Sequence, residues 1–249
     1  MRILYLLTDG FGAGGGIAQF NRDLLQSICS LPEVSEVTAI PRNISAELGE
    51  LPRNLSYDRR AARGRLHYAL HFIQLLIGRR RIDLIICTHL NLQPLAALAR
   101  RVTGAPTILM LHGVEAWTPP RRLIRRTTIG YVDVVAAVSH VTLDRFLAWS
   151  GVRRECAVVL PCCVDLERFT PGQPSSALLK RFDLEGRTVI LTLGRLAKSD
   201  RYKGFDEMME ILGRLRRVEP TIVYVIAGAG DDRQRLEAKA RELGVEQCV

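Results

Sequence analysis

The chain has 249 residues, of which 47% are hydrophobic and 24% are charged, and its formal net charge is +9. This composition predicts a soluble globular protein with one large or two modest domains. Its longest mainly apolar run, residues 68–77, contains His71 and Gln74 and is shorter than the roughly 20 residues of a membrane-spanning helix, which excludes such a helix.

A strand and a glycine-rich turn begin the chain. Residues 2–8 are apolar and of strand length, and residues 9–16 are rich in glycine. The following residues predict a helix, because their apolar side chains have helical spacing: Ile17, Phe20, Leu24, Leu25 and Ile28. The turn therefore joins the carboxyl end of a strand to the start of a helix, a place where backbone approaches ligands closely.

The same turn matches the dinucleotide pattern G-x-G-x-x-G through Gly10, Gly12 and Gly15. That fingerprint also needs an acidic residue after the next strand to hold a ribose. The next strand, residues 37–40, is instead followed by Arg42, which would suit a 2′-phosphate. An NADP-binding oxidoreductase therefore stays open as an alternative function.

Arginines are concentrated in the segment 53–126, which is bounded by Arg53 and Arg126. It holds fourteen arginines and three acidic residues, a local balance of +11. A basic patch of this kind predicts an anionic partner. Because the segment has few aromatic residues for base stacking and no nucleic-acid-binding motif, we expect an anionic membrane surface and no nucleic acid.

Within this segment, residues 59–81 predict a helix with arginines at both ends, the last three being Arg79, Arg80 and Arg81. Its apolar stripe is assigned to Leu66, Ala69, Leu70, Ile73, Leu76 and Ile77. Such a helix either lies on a membrane or packs on a sheet with its arginines in solvent, and we favour packing. A second helix would carry four arginines on one face: Arg121, Arg122, Arg125 and Arg126.

Alternating strands and helices follow, as in a parallel α/β sheet. Strands are predicted at 83–87, 106–111, 132–138 and 157–160, and helices at 95–102 and 140–149, with Ser139 capping the second helix. His112 follows the strand 106–111 directly, and ligands collect at the carboxyl ends of such strands. His112 is therefore a candidate binding residue, and Glu115, three residues later, is a weaker one.

Two cationic residues, Arg195 and Lys203, lie between the strand 189–193 and a helix that begins at Phe205. Helical spacing is shown by Met208, Met209, Leu212 and Leu215. A helix N-terminus offers unpaired N–H groups and a positive dipole end, and Arg195 and Lys203 add two full charges beside it. This pattern predicts an anion site that a diphosphate would fit.

Several segments, in the right order, resemble motifs of family 4 glycosyltransferases, which have the GT-B fold. Gly194-Arg195-Leu196 followed by Lys203-Gly204-Phe205 resembles the donor-phosphate signature. Other resemblances are those of residues 14–18 to the glycine loop, His112-Gly113 to the strand-end histidine, 161–171 to the interdomain segment, and 225–230 to the strand that follows. Cys162-Cys163 stands where Asn-Gly is usual, and a left-handed backbone there would strain Cys163.

The resemblance implies a Rossmann-like, acceptor-side N-terminal domain over residues 1–171 and the first part of a Rossmann-like nucleotide-sugar-binding domain over 172–249. The activity implied is hexosyl transfer from a nucleoside-diphosphate sugar to a glycan or lipid-linked acceptor. The configuration at the anomeric carbon of the sugar would be retained, and neither a metal nor another cofactor would be needed. Arg195, Lys203, Gly15 and Gly16 would bind the donor phosphates, His112 would be catalytic, and Glu115 would contact the acceptor.

The second domain has only two strand–helix units, residues 188–217 and 221–243, and lacks the family's Glu-x7-Glu element. We therefore expect the 249-residue chain by itself to be inactive or nearly so. The six cysteines form no Cys-x-x-Cys motif and no signal-peptide core precedes the glycines, so a cytoplasmic location, peripheral at the membrane, is expected. A non-catalytic membrane-surface module is a further alternative, since it would use the same arginines.

Overall fold

The computed structural model of the chain describes residues 1–78 and 81–249. These residues form two compact units, Met1–Val164 and Asp165–Val249, whereas the sequence placed the domain boundary between residues 171 and 172. Both units have parallel strands joined by helices, the α/β class expected from the alternation of elements. No helix in the described ranges is long and apolar enough to cross a membrane.

The first unit is built on a seven-stranded parallel sheet. Its strands are β1 (Arg2–Leu7), β2 (Glu36–Pro41), β3 (Leu55–Tyr57), β4 (Leu84–Cys87), β5 (Thr107–Leu111), β6 (Val134–Ala137) and β7 (Ala157–Val159). Their order across the sheet is β3-β2-β1-β4-β5-β6-β7. The chain therefore runs outward from β1 to β3, returns beside β1, and continues in the other direction. The switch point of the sheet lies between β1 and β4.

Helices cover both faces of this sheet. They are α1 (Gly16–Ser30), α2 (Arg65–Ile77), α3 (Gln93–Thr103), α4 (Leu123–Thr127) and α5 (His140–Ser150). Alternate residues of β1 enter opposite cores: Tyr5 packs with Leu25 of α1, and Leu6 belongs to the core that contains Phe72 of α2. The Ser139 hydroxyl accepts a hydrogen bond from the Thr142 backbone N–H at the start of α5, which confirms the predicted cap.

The rotation of α2 differs from the sequence prediction. Its buried residues are Tyr68 and Phe72. Four residues of the predicted core-facing stripe are exposed instead: Leu66 (79%), Leu70 (57%), Ile73 (45%) and Ile77 (72%). The reason is that α2 has a second apolar stripe with two large rings, and the Tyr68 hydroxyl donates to the Ile40 carbonyl oxygen at 3.1 Å. Arg79 and Arg80 of the predicted basic end lie outside the described residues.

The second arginine-rich helix is shorter than predicted. Arg121 and Arg122 precede α4, and Arg122 has an extended backbone (φ −82°, ψ 118°), so the four arginines do not share one helical face. At the other end, the hydroxyls of Thr127 and Thr128 donate to carbonyl oxygens one turn earlier. Such local side-chain bonds favour the end of a helix. Only Arg125 and Arg126 belong to α4.

The second unit contains α6 (Ser176–Arg181), β8 (Thr188–Leu193), α7 (Phe205–Val218), β9 (Ile222–Ala227) and α8 (Arg233–Glu242). The strands β8 and β9 are parallel, and α7 and α8 pack on them through Met209, Leu212 and Leu236. Both predicted strand–helix units are therefore confirmed. A short helical turn, Lys198–Lys203, links β8 to α7.

The expected strain at Cys163 is absent. Among the described residues, Asp183 is the one non-glycine with a left-handed backbone (φ 52°). The backbone at Cys163 is therefore not left-handed, and the strain that such a backbone would impose on cysteine does not arise. Cys162 and Cys163 are both exposed free thiols.

Candidate functional site

The first group of candidate residues lies at the switch point of the seven-stranded sheet. Parallel strands end at the same edge, so the segments that follow β1, β4 and β5 meet there. They supply the glycine-rich loop, Thr88 and His112 respectively. The Thr88 N–H donates to the Leu6 carbonyl oxygen at 2.8 Å and joins the ends of β4 and β1. This is the edge at which open α/β sheets bind ligands.

The imidazole of His112 is held by a backbone carbonyl and an aromatic ring. Its Nε2 lies 2.9 Å from the Thr88 carbonyl oxygen, which can only accept, so Nε2 carries a hydrogen. The ring of Phe20 packs edge-on against it, with ring centres 5.1 Å apart. Burial lowers the pKa of His112, although the nearby Glu115 carboxylate opposes that shift. The neutral ring therefore presents Nδ1 as an acceptor, since no described residue hydrogen-bonds that atom.

Glu115 has a structural partner that the sequence did not reveal. Its Oε1 accepts from the backbone N–H of His112 at 2.6 Å and from that of Gly113 at 3.1 Å. Gly113 has φ 153°, a conformation that favours glycine. Glu115 therefore holds the turn that follows β5, and its predicted contact with an acceptor stays a prediction.

The glycine-rich loop is anchored at its start and open at its end. Arg22 of α1 donates through Nη1 to the carbonyl oxygens of Gly10 at 3.0 Å and Ala13 at 2.6 Å. Gly15 and Gly16, the predicted phosphate contacts, are exposed, and side-chain atoms added there would meet nothing within 4 Å. Gly15 (φ 99°) precedes the first residue of α1, whose first N–H groups have no partner within the helix.

Arg42, on which an NADP site would depend, is engaged within the first unit. Its backbone N–H donates to the Leu7 carbonyl oxygen at 3.0 Å, and its guanidinium lies 5.9 Å from the ring centre of Tyr68. The backbone of Arg42 is thus held close to the end of β1. These contacts give Arg42 a structural role that needs no nucleotide.

The second group of candidate residues lies in the second unit, after β8. Arg195 and Lys203, which are eight positions apart, converge on one carboxylate. The Oδ2 atom of Asp200 accepts from Nε and Nη2 of Arg195 at 3.0 and 2.9 Å, and the Nζ of Lys203 lies 3.0 Å from the same oxygen. Asp200 is 6% exposed. The structure therefore brings the two predicted phosphate ligands together, through a residue that the sequence analysis did not select.

The free side of this cluster is cationic. Arg195 has 69% of its side chain exposed and Lys203 has 27%. No described residue hydrogen-bonds Nη1 of Arg195, so this group and the ammonium of Lys203 are available to an anion. The two hydrogen-bonded cations hold the pKa of Asp200 below its usual value, with Arg195 the larger cause. Asp200 is thus ionised, and the three charges sum to one positive unit.

A separate ion-pair network packs α7 against α8 nearby. Asp206, in the first turn of α7, accepts from both Nη atoms of Arg235 at 2.7 and 2.8 Å and from Lys239 at 2.9 Å. Arg235 also pairs with Asp232 at 2.7 Å. All of these charges are satisfied inside the network. They position the start of α7 and are not available to a ligand.

The two groups belong to different units. His112, Glu115, Gly15 and Gly16 lie in the first, and Arg195 and Lys203 lie in the second. Across residues 1–78 and 81–249, no three acidic, histidine or cysteine side chains are grouped so as to hold a metal ion. That the reaction needs no metal stays a prediction.

The sequence matches the model of Glycosyltransferase Family 4 over residues 14–168. It is also similar to the GDP-mannose-dependent alpha-(1-6)-phosphatidylinositol monomannoside mannosyltransferase of Mycolicibacterium smegmatis, with 33% identity over 159 residues. That match covers 62% of this chain and 41% of the relative. The chain thus spans about two fifths of the length of this relative.

Solved structures share the fold at low sequence identity. The Anabaena protein HepE, in complex with UDP-glucose, has a TM-score of 0.66 at 17% identity, and the match covers all of this chain and 68% of HepE. Sucrose-phosphate synthase from Thermosynechococcus elongatus has a TM-score of 0.70 at 14% identity, covering 100% and 69% of the two chains. The GT-B fold class predicted from the sequence is confirmed.

Proposed function

Because the chain belongs to Glycosyltransferase Family 4, we propose that it serves the transfer of a hexosyl group from a nucleoside-diphosphate sugar to a glycan or lipid-linked acceptor. Residues 1–249 by themselves are still expected to transfer little or no sugar. The observation that carries this proposal is the convergence of Arg195 and Lys203 on Asp200, with 69% of the Arg195 side chain and 27% of the Lys203 side chain exposed. Similar proteins support the donor and acceptor classes. One is named for GDP-mannose and a phosphatidylinositol monomannoside, and another binds UDP-glucose.

The chemistry needs stabilisation of a leaving group. The bond between the anomeric carbon and the diphosphate oxygen breaks, the acceptor oxygen bonds to that carbon, and the proton of the acceptor hydroxyl passes to the departing diphosphate or to solvent. Arg195 and Lys203 bind the departing diphosphate, on which negative charge develops, and such fixed cations stabilise a transition state strongly. The family resemblance supports retention of configuration and a reaction without a metal cofactor.

We assign the donor or acceptor sugar to the edge that holds His112. The Nε2 hydrogen of His112 is donated to the Thr88 carbonyl oxygen, so Nδ1 of His112 accepts from a sugar hydroxyl. The open glycines Gly15 and Gly16, at the start of α1, leave room for the backbone to approach the donor phosphates. His112 would thus contact the substrate directly, while Glu115 holds the turn that carries it.

Calorimetric titration of the chain with UDP, GDP and NADPH tests the proposal. We expect one of the two nucleoside diphosphates to bind, and Arg195→Ala with Lys203→Ala to weaken that binding at least tenfold, since hydrogen bonds to charged groups contribute about 1.5–3 kcal/mol each. Arg216→Ala with Arg217→Ala, two exposed cations at the other end of α7, is the charge-matched control. Binding of neither diphosphate would contradict the proposal, and NADPH binding that survives the first pair would favour an oxidoreductase.

We also propose that the first unit lies on the anionic cytoplasmic face of a membrane. The helix α2 packs beside α3, and α3 beside α4, so their outer faces belong to one layer. This layer exposes large apolar side chains: Leu66, Leu70, Ile73 and Ile77, then Leu98 and Val102, then Leu123 and Ile124. Arg63 and Arg65 at the start of α2 and Arg125 and Arg126 in α4 would contact lipid phosphates. A lipid-linked acceptor would be delivered at this surface.

Co-sedimentation with vesicles tests the membrane surface. We expect the chain to bind phosphatidylglycerol vesicles, to bind phosphatidylcholine vesicles weakly, and to dissociate as salt is raised. Leu70→Gln with Ile73→Gln should weaken binding severalfold, because less apolar surface is then buried. The matched control is Ile211→Gln with Val218→Gln, which removes exposed apolar side chains from α7 in the second unit. Equal loss in both pairs would contradict this surface.

A further inference from the structure

We propose that Asp200 is a positioning residue of the donor-phosphate site, which holds Arg195 and Lys203 at the spacing that a diphosphate needs. The inference rests on the proposed function and extends it to a residue that contacts no substrate. It assigns the geometry of the two cations to a buried carboxylate between them. The ligand class is a nucleoside diphosphate.

The carboxylate of Asp200 is itself rigidly placed. Its backbone N–H donates to the Ala197 carbonyl oxygen at 2.8 Å within the turn Lys198–Lys203. Its Oδ1 accepts from the Ser199 hydroxyl at 3.1 Å, which leaves Oδ2 to the two cations. A buried side chain with both oxygens hydrogen-bonded has little freedom to rotate. Asp200 therefore provides a fixed point for longer and more flexible side chains.

The contacts at Oδ2 set where the cations point. Arg195 binds Asp200 through its Nε edge, so its Nη1 edge faces outward. Lys203 contacts the same oxygen, so the two cationic groups are separated by no more than two hydrogen-bond lengths. Without the carboxylate, like charges would repel, and both side chains would lose more rotational freedom on binding an anion. Asp200 thus prepares the pair for one ligand that bridges them.

Two opposite effects of Asp200 can be separated by experiment. Its negative charge offsets one of the two cations, and this effect by itself weakens anion binding. Its hydrogen bonds preorganise the cations, and this effect strengthens binding. Asp200→Asn removes the charge while keeping the size, so the sign of the change in affinity shows which effect dominates. We infer that preorganisation dominates.

The test is calorimetric titration of UDP and GDP into Asp200→Asn and Asp200→Glu. We expect Asp200→Asn to weaken binding of the preferred diphosphate about tenfold and Asp200→Glu, which keeps the charge but moves it, to weaken it severalfold. Asp183→Asn is the matched control, because Asp183 pairs with Arg187 in the same unit, its side chain is 90% exposed, and asparagine tolerates its left-handed backbone. This control should bind as the unaltered chain does.

A general disturbance of the second unit is distinguished in two ways. The affinity for the parent nucleoside, which has no phosphate, should be unchanged by Asp200→Asn. Asp200→Asn should also have no further effect when Arg195 and Lys203 are both alanine, because its action passes through them.

Equal or tighter diphosphate binding by Asp200→Asn would overturn the inference. A loss that persists in the absence of both cations would do the same. If the cation pair proves essential while Asp200→Asn and Asp200→Glu bind normally, the proposed function stands and only the inference fails. Absence of diphosphate binding by the unaltered chain would overturn both.

Discussion

The backbone N–H of His112 donates to Oε1 of Glu115 over 2.6 Å, and the next N–H, of Gly113, shares the same oxygen. A carboxylate that satisfies two backbone donors fixes the path of the turn between them. The imidazole of His112 extends from this turn toward Thr88. The position of the candidate catalytic histidine therefore depends on Glu115.

Replacement of Glu115 tests this structural role. Glu115→Ala should destabilise the first unit by about 1–2 kcal/mol, because two partly buried N–H groups lose their acceptor. Glu115→Gln still offers a side-chain oxygen as acceptor, and it should destabilise the first unit by less than half as much. Urea unfolding followed by the fluorescence of Trp117 and Trp149, both in the first unit, measures the difference. Equal destabilisation by alanine and glutamine would contradict the geometry.

Two glycines of the second unit should respond in opposite directions. A Cβ atom at Gly228 would overlap the carbonyl oxygen of Gly194, next to Arg195, so Gly228→Ala should destabilise this unit by about 3 kcal/mol or more. Gly213 lies on the exposed face of α7 with no atom near the position of an added Cβ. Gly213→Ala should therefore stabilise the unit by about 0.5–1 kcal/mol.

Hydrogen exchange of the α7 amides reports these changes, because it resolves the stability of one unit from that of the other. Gly228→Ala should speed the exchange and Gly213→Ala should slow it. Normal protection in Gly228→Ala would mean that β9 does not approach the end of β8 as closely as described.

The stability of the first unit should depend on the protonation of His112. Burial lowers the pKa of its imidazole below the usual value of about 6.5, so the unfolded chain binds the proton more tightly. The stabilising contribution is complete above pH 6.5 and is lost as pH falls from there through the lower pKa of the folded state. His112→Gln should make the free energy of unfolding less dependent on pH below 6.5.

The measurement is urea unfolding at a series of pH values between 5 and 8, followed by tryptophan fluorescence. Some pH dependence should remain, because burial also lowers the pKa of His89. His67→Gln, on the exposed side of α2, controls for the loss of a histidine. Parallel pH profiles for the unaltered chain and His112→Gln would refute the prediction.

The ion pairs around Asp206 should contribute more stability than an exposed pair in the same unit. Asp206→Asn should destabilise the second unit by about 3 kcal/mol, because Arg235 and Lys239 lose a largely buried partner. Glu237→Gln, which breaks the exposed pair with Arg233, should cost less than about 1 kcal/mol. The rates of amide hydrogen exchange in α8 compare the stability lost in Asp206→Asn with that lost in Glu237→Gln. Equal losses would argue against a cooperative network.

Acid should act on the same network. The hydrogen bonds from Arg235, and then those from Lys239, hold the pKa of Asp206 well below its usual range. The stability from this carboxylate is therefore present above its unfolded pKa of about 3.9 and is lost as pH falls below that value. The exchange of α8 in the unaltered chain should accelerate below about pH 4, and Asp206→Asn should weaken this dependence.

Secondary structure and the order of the motifs could be read directly from the residues. Every strand from β4 to β9 overlaps a predicted strand, since each is a short apolar run whose signal is contained within it. The strand β3 was missed because three residues, Leu55–Tyr57, are too few to show a period. The convergence of the two cations was also predicted, because a strand end, a basic loop and a helix start are local features. Their binding of phosphate stays a prediction.

Long-range packing decided the rest. The helix α2 has two apolar stripes, and the sequence within it could not show that Tyr68 and Phe72 would face the sheet while Leu66 and Ile77 would face solvent. The sequence suggested Glu115 only as an acceptor contact and did not single out Asp200. Their roles depend on which backbone and side-chain donors the fold brings to them. The period of a segment is determined by its own residues, whereas the side it buries and the partners of its charges depend on the free energy of contacts with residues distant in the chain.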